Sequence, residues 1–129
     1  AASLVLRVDA GETSVLLLGD TGLHEQQPLV DTLGGIEVDV LKVSHHGSRN
    51  QDPRLPAATR AAWALISVGA GNGYGHPAAD TLGALARAGA RTLRTDQHGS
   101  IALIPGAGGE LEVWTERVPG RDVSARPYT

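Results

Sequence analysis

Short apolar runs alternate with helix-like patterns along most of the chain, and this alternation constrains the fold more than any other feature. Strands that alternate with helices predict a sheet with helices packed on it, which is an α/β layer arrangement. The predicted strands are residues 3–10, 13–18, 38–43, 63–68, 91–95, 101–104 and 111–118. The predicted helices are residues 23–33, 57–62 and 79–88.

Local signals refine the element ends. Gly89 follows the helix at 79–88 and is a typical residue at the end of a helix, and Gly34-Gly35 is expected to stop the first helix. Pro28 lies inside that first helix, which leaves two possible starts, at residue 23 or near the proline, and the proline favours the later one. Residues 96–99 are predicted to form a turn. The first two strands and the last two strands are each predicted to form a β-hairpin.

Size and composition indicate one small domain. The chain has 129 residues, of which 41% are hydrophobic, and we assign residues 1–118 to the domain and residues 119–129 to a disordered tail. The absence of cysteine excludes a disulfide scaffold, a cysteine nucleophile and a cysteine-ligated zinc site. No apolar run reaches the roughly 18 residues that span a bilayer. We therefore expect this chain itself to make no membrane contact.

Charge and aromatic content argue against one class of function. The formal net charge is −3, which is opposite to that of a non-specific nucleic-acid binder. Trp63, Tyr74, Trp114 and Tyr128 are the only aromatic residues apart from histidine, too few for a base-stacking platform. A site that grips a polyanion would have to act locally or through metal ions.

Polar side chains follow three predicted strands directly or after a loop. Asp20 ends the second strand, His45 and His46 end the third, and His76 follows the fourth after a glycine-rich loop. Sites in open α/β sheets lie beyond the carboxyl ends of the strands, so we expect these groups to converge. A set of imidazoles and a carboxylate suits Zn, Mn or Fe better than Ca.

Each of these residues also has a plainer interpretation. An aspartate after a glycine, as at Asp20, is commonly a turn or helix-cap residue. The pair His45-His46 is compatible with an ordinary polar loop, and His76 before a proline with a rigid turn. His24 and His98 have no comparable context and are predicted to lie at the surface.

Four short sequence motifs together resemble those of the metallo-β-lactamase-like domain of the ComEC/Rec2 family of DNA-uptake competence proteins. They are LLLGD at 16–20, DVLKVSHHGS at 39–48, ISVGAGNGYGHP at 66–77 and LRTD at 93–96. The resemblance runs from about Ser3 to Ile104. It implies an αββα fold of which this chain is the C-terminal half, with a mixed sheet and helices on one face.

The resemblance also implies a metal centre. Asp20 would bridge two divalent ions, Zn or Mn, in the complete domain, and His76 would be a ligand of the second ion. His45 or His46 would supply a further ligand or a general acid, with His45 the closer and His46 the alternative. Ser48 and Asn72 would hold loop geometry or contact a substrate phosphate.

By the same resemblance, the parent protein would be a metal-dependent phosphodiesterase or nuclease acting on single-stranded DNA during uptake. The domain would lie on the outer side of the cytoplasmic membrane, attached to a channel. The family's motif of the form His-x-His/Asp-x-Asp-His would lie upstream of Ser3, so we expect this chain alone to be weak or inactive. The apolar face left uncovered would bind the N-terminal half or a second copy.

Two other functions compete with this one. The chain could be a non-catalytic structural module within an assembly, which the absence of the upstream motif favours. It could also belong to a small-molecule hydrolase of the lactonase or β-lactamase type, which an apolar groove near Tyr74 would favour.

Overall fold

Five strands lie side by side in the same order as they occur in the chain. In a computed structural model, which describes residues 2–33 and 36–119, they form one mixed sheet. The first strand is antiparallel to the second, and the remaining neighbours are parallel. The strands are β1 (Leu6–Ala10), β2 (Thr13–Leu17), β3 (Val40–Lys42), β4 (Trp63–Ile66) and β5 (Arg91–Arg94).

Helices connect the parallel strands and form a layer on one side of the sheet. They are α1 (Leu23–Leu33), α2 (Leu55–Thr59) and α3 (Ala79–Arg87). All three connections step in the same direction across the sheet, and right-handed crossovers therefore place all three helices on the same face. Contacts between α1 and α2 and between α2 and α3 agree with such a layer. The predicted α/β class with a mixed sheet is confirmed.

The main core lies between this helix layer and the sheet. Leu16, Leu41 and Ala64 lie opposite one another in the register of β2, β3 and β4, and all are buried. Leu18, beyond the end of β2, and Leu85 of α3 are buried in the same cluster. The apolar run at 15–18 is therefore a strand whose helix-facing side chains anchor the domain.

The remaining two strands form a hairpin on the other face of the sheet. They are β6 (Ile101–Pro105) and β7 (Leu111–Thr115), paired antiparallel as a separate sheet. The hairpin starts beyond the carboxyl end of β5. Its turn reaches Glu12, next to the start of β2, where a Cβ atom on Gly109 would lie 3.0 Å from Oε2 of Glu12. It therefore crosses the face opposite the helices. Val40 points to that face and is only 1% exposed.

Part of the same face stays uncovered at the edge strand. Leu4, Leu6 and Val8 are 73%, 50% and 43% exposed. The expectation of an apolar, uncovered face therefore holds for the β1 edge, whereas the centre of the face is covered. None of the helices in the described ranges is both long enough and apolar enough to cross a bilayer.

Three local predictions differ from the structure. Helix α1 begins at Leu23 rather than near Pro28. Residues Thr95–His98 form a one-turn helix, α4, where a turn was predicted, and the α2 helix lies at Leu55–Thr59 rather than 57–62. The glycine stop at 34–35 and most of the predicted tail, from residue 120, lie outside the described residues.

Candidate functional site at the carboxyl ends of β2, β3 and β4

The residues singled out from the sequence lie beyond one edge of the sheet. Asp20 follows β2, His45 and His46 follow β3, and His76 follows β4 after a loop. These three strands are mutually parallel neighbours, so their carboxyl ends lie at one edge. This is the position at which open α/β sheets place their sites.

Backbone hydrogen bonds tie the three segments together. The His45 amide donates to the Gly19 carbonyl at 3.0 Å, which joins the histidine turn to the loop that carries Asp20. The Ala78 amide donates to the Gly47 carbonyl at 2.8 Å, which joins the same turn to the segment that carries His76. The relative positions of the side chains therefore depend on main-chain contacts as well as on the strands.

The imidazole rings come close to one another. The ring centroids of His45 and His76 are 5.7 Å apart, and those of His45 and His46 are 6.2 Å apart. Both His45 and His46 are exposed, whereas His76 is half-buried. The structure thus brings His45 and His76 together across two different loops.

Asp20 is exposed and faces a cation on the neighbouring strand. Burial lowers the pKa of the half-buried Lys42 ammonium, and the negative charge of Asp20 opposes that shift by raising it. Nζ of Lys42 also donates to the Val43 carbonyl at 3.2 Å. Lys42 therefore supplies positive charge beside the carboxylate at this edge of the sheet.

The ring of His46 is held by one hydrogen bond. Its Nδ1 lies 2.6 Å from the Ser67 carbonyl oxygen, which can only accept. Nδ1 must therefore carry the proton, and in the neutral ring Nε2 has the free lone pair. A backbone carbonyl on one imidazole nitrogen is the usual partner of a histidine whose other nitrogen binds a metal or exchanges a proton.

Asn72 organises the loop that delivers His76. Its Nδ2 donates to the carbonyls of Gly69 and His76 at 3.1 and 3.0 Å. Its Oδ1 accepts from the amides of Tyr74 and His76, each at 3.3 Å. These contacts agree with the loop-holding role that was one of two alternatives for Asn72.

Two buried polar atoms at the site have no hydrogen-bond partner among the residues that the structure describes. One is Nδ1 of His76 and the other is Oγ of Ser48. Ser48 is 6% exposed, and its carbonyl accepts from Oγ1 of Thr81 at 2.7 Å, so its backbone is fixed while its hydroxyl is unpaired. Buried polar atoms are nearly always paired, so each of these two atoms indicates a missing partner.

The histidine turn is strained. His45 and His46 have φ values of 47° and 55°, in the left-handed region that non-glycine residues rarely occupy. This conformation costs about 1–2 kcal/mol per residue. Strain of this kind persists only where the surroundings enforce it, and it is concentrated at functional sites.

A buried ring of hydrogen bonds supports the strained turn, and the sequence analysis missed it. Oγ of Ser44 donates to the Thr21 carbonyl, and Nε2 of Gln26 donates to the same carbonyl at 3.0 Å. Gln26 also donates to Oε1 of Gln51 at 2.9 Å, and Gln51 closes the ring by donating to the Ser44 carbonyl at 2.8 Å. Gln26 is 0% exposed. Its signal was a polar residue at a core-facing position of α1.

Three curated proteins resemble the chain in sequence. It is 39% identical over 101 residues to ComE operon protein 3 of Bacillus subtilis, 34% identical over 109 residues to competence protein ComA of Neisseria gonorrhoeae, and 41% identical over 76 residues to recombination protein 2 of Haemophilus influenzae. The matched regions cover 78%, 83% and 58% of this chain. The matches support a place in the ComEC/Rec2 competence family.

The chain corresponds to a small part of these competence proteins. The matched segments make up 13%, 16% and 9% of their lengths. No protein-family model matches the chain, and no solved structure matches it.

The described residues do not form a complete set of metal ligands. In residues 2–33 and 36–119, no group of three or more His, Asp or Glu side chains is arranged to hold an ion. Three imidazole groups are suitable nitrogen donors: the unpaired Nδ1 of His76, the free Nε2 of His46 and the adjacent ring of His45. Asp20, at the end of the neighbouring strand, could add a carboxylate. The residues present therefore fit part of a metal centre.

The two histidines outside the site differ from each other. His24 is exposed on α1, as predicted. His98, also predicted to lie at the surface, is half-buried. Its Nδ1 accepts from the Arg94 amide at 3.0 Å, which ties α4 to the end of β5 and gives His98 a structural role.

A separate cavity lies on the helix side of the sheet. It has a volume of about 450 Å³, and its floor includes Leu41, Leu55 and Leu85, with Arg49 and Asp80 at the rim. None of Asp20, His45, His46 or His76 lines it. The cavity is therefore distinct from the histidine site.

Proposed function

We propose that this chain is the C-terminal half of a metallo-β-lactamase-like domain whose complete form is a metal-dependent hydrolase of DNA phosphodiesters in competence. Similarity to three competence proteins supports the process. The observation that carries the chemistry is the pair of His45 and His76 rings, 5.7 Å apart, with an unpaired buried Nδ1 on His76. Asp20 at the adjacent strand end would add the carboxylate.

Each residue has a role in this proposal. Asp20, His76 and His45 would hold divalent metal, Zn or Mn, which when bound polarises the phosphodiester and lowers the pKa of an attacking water. His46, oriented by the Ser67 carbonyl, would in its doubly protonated form donate the Nε2 proton to the leaving oxygen and so return to the neutral ring. His46 remains the alternative metal ligand, in which case His45 carries the proton. Oγ of Ser48 would donate to a substrate oxygen.

The proposal gives this chain only part of the site. The remaining ligands would come from the upstream half of the domain, so the chain alone would bind metal weakly and have little or no activity. In the parent protein the domain would lie outside the cytoplasmic membrane, beside a channel, and would act on single-stranded DNA. Leu4, Leu6 and Val8, exposed on the β1 edge, would pack against the upstream half or a second copy.

A non-catalytic assembly module is the second candidate. The incomplete donor set of the described residues and the uncovered apolar edge favour it. The small-molecule hydrolase would need an apolar pocket beside Tyr74, and the 450 Å³ cavity is lined by neither Tyr74 nor a site histidine. That cavity therefore lends the third alternative no support.

Metal retention separates the first two candidates. The chain is incubated with Zn²⁺ or Mn²⁺, desalted and analysed for metal, alongside Asp20→Ala, His76→Ala and the exposed control His24→Ala. The metal-centre proposal expects weakly held, substoichiometric metal in the wild type and in His24→Ala and less metal in the other two variants. If the wild type retains none, the same assay on the chain joined to the upstream half decides, and failure there as well favours the structural module.

A further inference from the structure

Gln26 lies outside every motif that the sequence analysis singled out, yet it contacts the loops on both sides of the site. Its side chain is fully buried, and it uses both its amide nitrogen and its amide oxygen. Nε2 donates to the Thr21 carbonyl at 3.0 Å and to Oε1 of Gln51 at 2.9 Å. Oε1 accepts from the Asp52 amide at 2.7 Å. A buried amide with all these partners is a strong constraint on the segments that it joins.

The segments that Gln26 joins are the ones that carry the site residues. Thr21 directly follows Asp20, and its carbonyl is shared by Gln26 and Oγ of Ser44. Nε2 of Gln51 in turn donates to the Ser44 carbonyl at 2.8 Å, and Ser44 directly precedes His45. A closed ring of side chains and carbonyls from four residues therefore links the peptide after Asp20 to the peptide before His45.

We propose that Gln26 is a positioning residue that fixes the Asp20 loop against the strained His45–His46 turn. The backbone bond from the His45 amide to the Gly19 carbonyl, at 3.0 Å, is the contact that this ring would keep closed. Without the ring, fewer contacts would hold His45 and His46 in the left-handed conformation. The turn would then relax away from Asp20. The link to metal binding rests on the proposed function, whereas the link to loop geometry does not.

The substitution Gln26→Leu keeps the side-chain volume and removes every hydrogen bond of the ring that Gln26 makes. Gln27→Leu is the matched control, because Gln27 is the next residue of the same helix and is exposed. Gln51→Leu is a second test for the case that Gln26→Leu does not fold. It breaks the same ring at position 51, which is only half-buried.

Amide hydrogen exchange gives a readout that general destabilisation would not mimic. We expect exchange at the His45 amide to accelerate by about tenfold or more in Gln26→Leu, because the hydrogen bonds that hold the turn closed are lost. The Arg91 amide, which donates to the Ala62 carbonyl at 2.9 Å beside β5, should change less than about twofold. Gln27→Leu should leave both amides unchanged.

Equal acceleration of exchange at His45 and Arg91 would show that Gln26 supports the whole fold, and this would overturn the proposal. An unchanged exchange rate at the His45 amide would overturn it as well. Zn²⁺ titration of the same variants tests the functional link, with weaker binding expected in Gln26→Leu than in Gln27→Leu. If the wild type binds no Zn²⁺ while exchange at the His45 amide of Gln26→Leu accelerates selectively, the positioning role stands without the link to metal binding in this chain.

Discussion

Gly47 packs directly against Pro77, so closely that a Cβ atom at position 47 would lie 2.6 Å from the Cβ atom of the proline. This contact joins the histidine turn to the residue that follows His76. It requires glycine for two reasons, since Gly47 also has a φ of 79°. Close approach of the two site loops therefore depends on the absence of a side chain at this position.

Gly47→Ala should destabilise the fold by about 2–4 kcal/mol, because it adds a steric clash to the cost of a positive φ. Gly75→Ala is the matched control: Gly75 has a φ of 74°, but a Cβ atom there would meet nothing within 4 Å. It should cost only about 1 kcal/mol. Urea unfolding of both variants measures the difference, and equal losses would contradict the packing argument.

The strain at His45 predicts an unusual ranking of substitutions. His45→Gly should be more stable than His45→Ala by about 1 kcal/mol, because glycine adopts the left-handed region without a steric penalty. On helix α1 the order should reverse, with His24→Ala more stable than His24→Gly by about 1 kcal/mol. Thermal or urea unfolding of the four variants tests both rankings. An advantage for alanine at position 45 would mean that the turn is not strained.

The carboxylate of Asp20 should influence the pKa of Lys42. The Asp20 charge raises the pKa of Lys42 against the larger lowering by burial, so Asp20→Asn should lower the pKa of Lys42 further. NMR titration of the Lys42 side chain measures this shift. Asp9→Asn, on strand β1, is the control and should leave the pKa unchanged. A constant or higher Lys42 pKa in Asp20→Asn would place the two groups too far apart to interact.

The buried Asp52 should make stability depend on pH. Hydrogen bonds from Arg54 lower the pKa of Asp52 below 3.8, with Nη2 of Arg54 2.7 Å from Oδ2. Its stabilising effect is therefore complete above the unfolded-state pKa and is lost as the pH falls through the lower folded-state value. Arg54→Gln should destabilise the fold at pH 7 and have a smaller effect at acidic pH, once Asp52 is protonated in the folded state.

The exposed partner of Arg54 provides the control for that experiment. Asp31 also pairs with Arg54, at 2.8 Å, but it is largely exposed. Asp31→Asn should change stability by less than about 0.5 kcal/mol at either pH. Urea unfolding at both pH values measures the two variants, and a pH-independent loss in Arg54→Gln would contradict the role assigned to Asp52.

The sequence predicted the elements of the sheet because their signals are local. Apolar runs bounded by glycine and polar residues located the seven strands found within residues 2–33 and 36–119. The position of Asp20 and the histidines at strand ends followed from the parallel topology. The start of α1 was wrong because Pro28 was given more weight than the packing of the whole helix, whose polar Gln26 is buried. Tertiary contacts override such local preferences.

Non-local features could not be predicted in the same way. The ring through Gln26 joins residues that are far apart in sequence, and no pattern within α1 indicates its partners. The closing hairpin was predicted, but its path across the sheet depends on contacts such as that between Gly109 and Glu12. The partner of His98 could not be predicted for the same reason, because it is the backbone amide of Arg94 at the end of β5.

The agreement between the order of the strands in the chain and their order across the sheet has a consequence for assembly. Each new strand can be added to the edge that has just formed, so the sheet can grow in the direction of synthesis with short loop closures. Asp20 and His45 would meet as soon as β3 pairs with β2. His76 would arrive only after β4 is in place, when Ala78 binds the Gly47 carbonyl, so formation of the site would be among the later events of folding.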